Sequence, residues 1–438
     1  MTRHIIPGKV FYGLASGGGG AYAVGHLKAA QYSKRVLLLR AVRDAARAEG
    51  ATRARRARQA YALLAEIQRT CPDAVDAVIR YPTVGVWARA ALQGQGDSGA
   101  LASLAAAALV RARFPRAIEV EISRESAVLP SLGRLLLPGE AEGRYVIVRT
   151  AGGRPEIAAP DARVRIPADP HGDTSMWQGL RRLDAEYHGL TIRLVLDDCD
   201  PYRTPGTPEL EAAPRLAAAE VEAWRASLRR AWRLLVRGHA ETAGEVAAAI
   251  SVLVPLRADG PDHTSATVPM AFGAVAMSPP PDDHALAVTL AHEAQHAKLG
   301  ALNDVVPLTL PDDGSRFYAP WRDDPRPVGG LLHGAYAHLG VAGYWRAERG
   351  RERGDGALRA HTEFAHWRDA CALVIRTLRG CGRLTEAGEQ FVAVMDRTVR
   401  AWRREPVPSV ALDAARAIAE RHRGRWQAAH AGRGRAPG

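Results

Sequence analysis

Residues 27–42 mix apolar positions with regularly spaced basic ones, the pattern of an amphipathic helix, and helices are expected to dominate to about Arg113. The period then changes. Residues 118–122 (Ile-Glu-Val-Glu-Ile) alternate strictly, and 144–149, 163–166 and 190–196 continue in the same manner between Pro and Gly, which predicts four strands. From 208 to 249 the spacing returns to three or four, with Val221, Trp224, Leu228, Trp232 and Leu235 marking the buried face of one long helix. Residues 250–254 and 270–277 are short apolar runs that predict two more strands, the second a plausible sheet edge for an extended peptide to join. Pro279-Pro-Pro-Asp-Asp283 stops that strand and caps a helix. A Pro- and Asp-rich loop, a helix over 327–345 and three further helical stretches follow, and the tail 432–438 reads as frayed.

The expected fold class is therefore α+β, mostly helical, with a small β-rich middle region and a zincin-like strand-plus-helix metal site. The predicted regions are an N-terminal helical region (1–113), a β-rich region (114–205), a metal-binding catalytic core (206–350) and a C-terminal helical region (351–438).

Composition narrows the classes. A chain of 438 residues, 47% hydrophobic, can bury a large core, which excludes global disorder. Neither an uncharged apolar run of ~18 residues nor an apolar start is present, so a cytoplasmic protein without membrane partners is expected. The four cysteines, Cys71, Cys199, Cys371 and Cys381, lack C-x-x-C spacing and read as reduced, packed thiols. A net charge of +12 favours acidic partners, yet no recognition motif or aromatic-basic platform accompanies it, so nucleic acid is not the expected one.

The chemistry concentrates in Leu290-Ala-His-Glu-Ala-Gln-His-Ala-Lys-Leu299. On a helix, the i,i+4 spacing of His292 and His296 turns the two imidazoles to within about 40° of each other, so both reach one ion. Two histidines seldom hold a divalent ion firmly, and a third ligand is needed. His333 and His338 are the candidates, lying about 140° apart around their helix, so one of them faces the ion and the other does not. His338 is preferred because Gly334 and Ala342, four residues to either side, allow a close helix approach; His333, with Gly329 and Ala337, is nearly equal. His361, Glu363 and His366 come next.

Between the two helices lies Tyr318-Ala-Pro-Trp-Arg-Asp-Asp-Pro-Arg-Pro327. Arg322 or Arg326 either anchors a carboxylate-bearing co-substrate bidentately or pairs with Asp323 and Asp324 to stiffen the loop. Tyr318, Trp321 and Phe272 are the candidate substrate contacts. Two other features carry alternatives. Asp197, Asp198 and Asp200 could bind a cation, or close a strand in a solvated turn. The glycine run Gly17–Gly20 lacks the Gly-Lys-Ser/Thr of a phosphate loop and reads as a flexible turn before a helix.

The glycine run with Leu27-Lys-Ala-Ala-Gln31, the motif segment 290–302, the loop 318–327 and Leu332-His-Gly-Ala-Tyr-Ala-His-Leu-Gly340 together resemble the HExxH-motif peptide-modification proteins, most strongly over about 11–47 and 265–346. That resemblance implies an iron(II)- and 2-oxoglutarate-dependent dioxygenase that β-hydroxylates a ribosomally synthesised precursor peptide. The motif read by itself gives zinc hydrolysis first, a zincin-type metallopeptidase in which Glu293 deprotonates a zinc-bound water. In a hydroxylase Glu293 would instead orient a water, the substrate or a ligand. A third class, a leader-peptide binder without activity, is opposed by the completeness of the motif.

Overall fold

The computed structural model describes residues 4–96, 98–122, 126–137, 144–159, 162–204, 210–257, 263–268 and 270–431. The tail 432–438 and the expected helix start at 208 lie outside the described residues.

The N-terminal region is helical as its pattern predicts: α1 (Gly8–Ala15), α2 (Gly20–Ala45), α3 (Ala51–Thr70), α4 (Pro72–Ile79), α5 (Pro82–Leu92) and α6 (Ala100–Ala112). Because α6 is Ala- and Leu-rich on every side, it sits buried at the centre of the first core. The β-rich stretch makes two small antiparallel sheets, β1 (Ala117–Glu121), β4 (Tyr145–Ala151), β5 (Arg154–Ala159) and β6 (Ala162–Arg165) in the order β1-β4-β5-β6, and β2 (Ser126–Leu129), β3 (Gly133–Leu136) and β7 (Trp177–Gly179) in the order β2-β3-β7.

A mixed sheet carries the chain into the motif region. Its order is β11-β12-β10-β9-β8, with β8 (Arg181–Tyr187), β9 (Leu190–Leu196), β10 (Val252–Pro255), β11 (Ser265–Ala266) and β12 (Ala274–Met277). β9, β10 and β12 run parallel, while β8 and β11 close the edges antiparallel. The strand expected at 270–277 is thus shorter and lies inside the sheet; the edge belongs to β11. Its apolar sequence explains the difference, since Ala274–Met277 is buried on both faces and such a strand needs partners on both sides.

The helix expected from 208 to 249 is two, α7 (Ala218–Gly238) and α8 (Ala240–Ala249). The break falls at His239, whose ring leaves the helical path to reach Glu348 at 3.0 Å. There follow α9 (Asp283–Asn303), α10 (Val328–Glu348), α11 (Gly354–Gly380), α12 (Glu386–Arg403) and α13 (Ser409–His430). Mixed α+β with helices predominating is the observed class, and among the described residues no helix is long and apolar enough to cross a membrane.

Three hydrophobic cores cut across the four stretches marked out by the sequence pattern. The first joins α2–α6 to the two antiparallel sheets, the second packs α7–α9 on the mixed sheet, and the third brings α1 against α9, α10, α11 and α12. The chain's start and its C-terminal helices therefore build the same core.

The three aspartates after β9 are neither solvated nor arranged around an ion. Asp197 accepts from the Tyr81 hydroxyl at 2.5 Å, Asp200 from the Thr83 hydroxyl at 2.7 Å, and Asp198 lies between Arg181 and Arg215. All three are buried; Asp197 and Asp200 tie the end of the strand to the start of α5, and Asp198 ties it to Arg181 and Arg215.

Candidate metal centre

The motif helix starts where its cap predicts. The Asp282 carboxylate accepts from the Ala285 amide at 2.6 Å, satisfying one of the free N–H groups of the first turn. α10 runs antiparallel to α9, so that His284 meets Tyr344, His292 meets His338 and His296 meets His333 along the shared seam.

His292 is the middle of this row. Its ring centroid lies 4.7 Å from that of His296 and 4.9 Å from that of His338, edge-on to both. His333 instead stacks flat on His296 at 5.9 Å, and its Nε2 faces the Asn303 side-chain amide at 3.3 Å. The two α10 histidines thus part as their angular separation requires. His338 has the fixed orientation expected of a ligand: its Nδ1 donates to the Gly334 carbonyl at 2.8 Å, which leaves Nε2 with the lone pair. Its ring is clamped between Trp321 at 4.5 Å and Trp367 at 4.3 Å, both stacked.

Burial keeps these imidazoles neutral. It pushes His292 down to about 4 and His296 to about 3, the latter helped by His292, and holds His338 well below the ordinary range, with His292 adding to the effect. Neutral imidazole is the form that ligates a metal. The donor set therefore fits a divalent ion of the borderline class, iron or zinc. Its spacing is looser than a closed site: among the described residues the trio that brings its ligand atoms within 4.8 Å of one another is His284, Glu348 and Glu352, at the far end of the seam. That trio is internally satisfied, His284 by the Tyr344 hydroxyl at 2.8 Å and Glu348 by His239. It fastens the ends of α9 and α10 to the α7–α8 junction.

Glu293 faces away from solvent and is held by the edge strand. The Ser265 hydroxyl donates to one carboxylate oxygen at 2.7 Å and the Thr267 hydroxyl donates to the other. Each oxygen accepts one hydroxyl hydrogen bond, which fixes the carboxylate against the segment of β11 and leaves a second lone pair on each.

The other motif positions explain the glycine run. Gln295 and Lys298 project from α9 onto it: the Gln295 amide donates to the Gly17 carbonyl at 2.7 Å, and the Lys298 ammonium reaches the Gly18 carbonyl at 3.2 Å and Glu245 at 2.6 Å. Glu245 in turn accepts from the Gly20 amide at 2.8 Å. Gly17, Gly19 and Gly20 all have positive φ, which glycine alone adopts without strain. The turn is pinned rather than flexible. Gln295, Lys298 and Glu245 escaped the sequence reading; polar residues on the buried side of the motif helix were the available signal.

The small residues of α10 also act differently from expectation. The gap at Gly334 is filled by Trp321, since a Cβ there would lie 2.4 Å from the indole nitrogen, while the close pass with α9 is at Gly340, where a Cβ would meet Gln295 at 2.7 Å. Gly334→Ala should accordingly push Trp321 off His338 and cost about 1–3 kcal/mol. Denaturant unfolding with Trp fluorescence checks this; an unchanged midpoint and spectrum would remove Trp321 from the site's wall.

The loop residues divide. Trp321 covers His338, whereas Tyr318 turns outward to His422 of α13, 2.9 Å from its hydroxyl, and packs on Trp426. Phe272 is buried and packs in the third core. Arg322 and Arg326 both pair with Asp324, at 2.8 and 2.9 Å, the loop-stiffening arrangement. Glu363 and His366 stand behind Trp367: Glu363 accepts from its indole at 2.8 Å, and His366 lies edge-on to it at 4.5 Å. His361 is not part of this cluster in any described contact. No family model and no curated protein matches the chain.

Proposed function

We propose that the chain is an iron(II)- and 2-oxoglutarate-dependent peptide hydroxylase whose zincin-like strand-plus-helix site holds the metal through His292, His296 and His338. The observation that carries the reading is the pairing of His292 with both His296 and His338, all neutral, beside a glutamate whose two oxygens already accept hydroxyl hydrogen bonds. The two hydroxyl hydrogen bonds orient Glu293 and leave each of its oxygens a second lone pair, so the preference for oxygenation over hydrolysis rests on the resemblance over 11–47 and 265–346. Bound iron(II) would supply the centre at which O2, with the 2-oxoacid as its two-electron co-reductant, becomes able to oxidise an unactivated C–H bond.

The protein's own part is positioning. Trp321 and Trp367 hold the His338 ring and keep water from its faces, and the Gly334 carbonyl fixes its tautomer. β11 hydrogen-bonds to β12 on one side and is the sheet's edge on the other, which suits addition of an extended substrate, the ribosomal precursor peptide of this reading. The co-substrate's distal carboxylate is assigned to Arg326, the less exposed of the two loop arginines, which exchanges Asp324 for it.

The alternative is a zinc metallopeptidase, favoured by the motif's spacing. Aerobic incubation with iron(II), 2-oxoglutarate and a candidate precursor peptide, read by mass spectrometry, separates them. A gain of one oxygen atom is expected. Cleavage by the zinc form without oxygen or 2-oxoglutarate would replace the hydroxylase by the peptidase. Arg326→Ala should raise the 2-oxoglutarate requirement by roughly tenfold to a hundredfold at unchanged metal content, the loss of a charge-assisted bond of about 1.5–3 kcal/mol. An unaltered requirement moves the anchor elsewhere.

A further inference from the structure

α2 and the end of α4 face β9 and the start of β10 across a cavity of about 340 Å3 that Phe272 also lines and that none of the candidate metal ligands lines. Five cationic side chains line it: Lys28, Arg35, Arg80, Arg111 and Arg193. Their partners are almost all uncharged. Arg35 is 4% exposed, and its guanidinium donates to the backbone carbonyls of Ile79, Arg80 and Phe272, the last at 2.6 Å. Arg111 donates to the hydroxyl and carbonyl of Ser131 at 3.0 and 2.8 Å. Arg80 lies over the Tyr32 ring and has one distant carboxylate, Asp76 at 3.6 Å. Among the described residues the side chains of Lys28 and Arg193 make no hydrogen bond or ion pair.

Of the nearby carboxylates, three are committed to other partners, and Asp184 stands opposite Arg193 across the β8–β9 pair. Asp76 also accepts from the Tyr32 hydroxyl at 2.6 Å, Asp304 from Gln31 and Lys34, and Asp197 from Tyr81. Backbone carbonyls satisfy a guanidinium's hydrogen bonds but do not cancel its charge, and a buried cation without a counter-ion is costly. The cavity therefore carries an excess of positive charge, its five cations facing only Asp184 opposite Arg193 and the more distant Asp76. Burial, and after it Arg80, lowers Lys28 from its ordinary value and Arg35 to about 10, the direction expected where like charges crowd.

We propose that this cavity is a binding site for a small polyvalent anion, bearing phosphate or carboxylate groups, with Arg35 at its floor and Lys28, Arg80, Arg111 and Arg193 around it. The volume lies at the lower end of the range for small-molecule pockets, which suits a compact ligand. Arginine's planar fork and the lysine ammonium are the side chains that recognise either oxyanion. This assignment does not depend on the metal chemistry proposed for His292, His296 and His338.

Isothermal titration of the full chain with pyrophosphate and, separately, citrate tests it, at constant ionic strength set by sodium chloride. At least one should bind stoichiometrically, and the stronger of the two identifies phosphate or carboxylate as the ligand chemistry. Lys28→Gln with Arg80→Gln should weaken that binding tenfold or more. The exposed pair Arg233→Gln and Arg237→Gln, on α7, should leave it unchanged. Arg35→Gln is less useful because it removes three buried hydrogen bonds, so circular dichroism of the Lys28/Arg80 double variant must first match wild type; if it does not, Lys28→Gln alone is titrated, with a weakening of threefold or more expected. Binding no tighter than that of chloride, or equal loss in the α7 control, would overturn the proposal.

Discussion

Lys298→Met is expected to destabilise the protein by about 3–5 kcal/mol, the cost of breaking a buried ion pair from one side. The Lys298 and Glu245 side chains are 0% and 3% exposed, and burial already lowers the lysine from its ordinary value. Methionine keeps most of the side chain's length but leaves Glu245 charged, buried and bonded to the Gly20 amide alone among these partners. The Gly17 and Gly18 carbonyls lose their ammonium donor as well. Equilibrium denaturation reads the effect as a lower midpoint at unchanged slope. Adding Glu245→Leu should restore a substantial part of the loss, because the unpaired charge is then gone. A loss under about 1 kcal/mol for Lys298→Met would mean that the glycine turn is held by something other than this pair.

His292→Ala should remove metal binding and activity together while the fold survives. Its ring lies between His296 and His338, so its loss separates the other two donors. Two remaining histidines on different helices leave an affinity lower by two orders of magnitude or more, on the order of 3 kcal/mol. His338→Ala should lose metal comparably, by tenfold at least, and His333→Ala should not, since its Nε2 is engaged with Asn303 and its ring is stacked on His296. Metal titration of the three variants checks the order. Wild-type affinity in His292→Ala, or a greater loss in His333→Ala than in His338→Ala, would remove the assigned set.

What the sequence made legible was local. The 3.6-residue period, the Asp282 cap and the i,i+4 histidines place α9 and its chemistry without any tertiary information, because each depends on neighbours within a turn or two. Short strands such as β7, and β5 and β8 with their interspersed charged residues, do not announce themselves, since their pairing is set by partners elsewhere in the chain. The break at His239 has the same origin, a contact with Glu348 more than a hundred residues away. Nor does sequence reveal that Gly17–Gly20 docks on the motif helix, that Trp367 stacks on His338, or that Ser265 and Thr267 hold Glu293. Each of these pairs distant segments through one side chain, which leaves no periodic trace.

Five residues of separation guarantee that His333 and His338 diverge, and the structure sends one to His292 and the other to His296 and Asn303. Choosing between them required the indole rings on either side of His338, which come from the loop and from α11.

The most direct test of the account is X-ray absorption at the metal edge of protein purified anaerobically and reconstituted with one equivalent of iron(II). The account predicts one bound ion whose protein ligands are imidazoles, with the signal lost in His292→Ala. A carboxylate-rich environment that persists in His292→Ala but disappears in Glu348→Gln would contradict it, placing the ion instead with His284, Glu348 and Glu352.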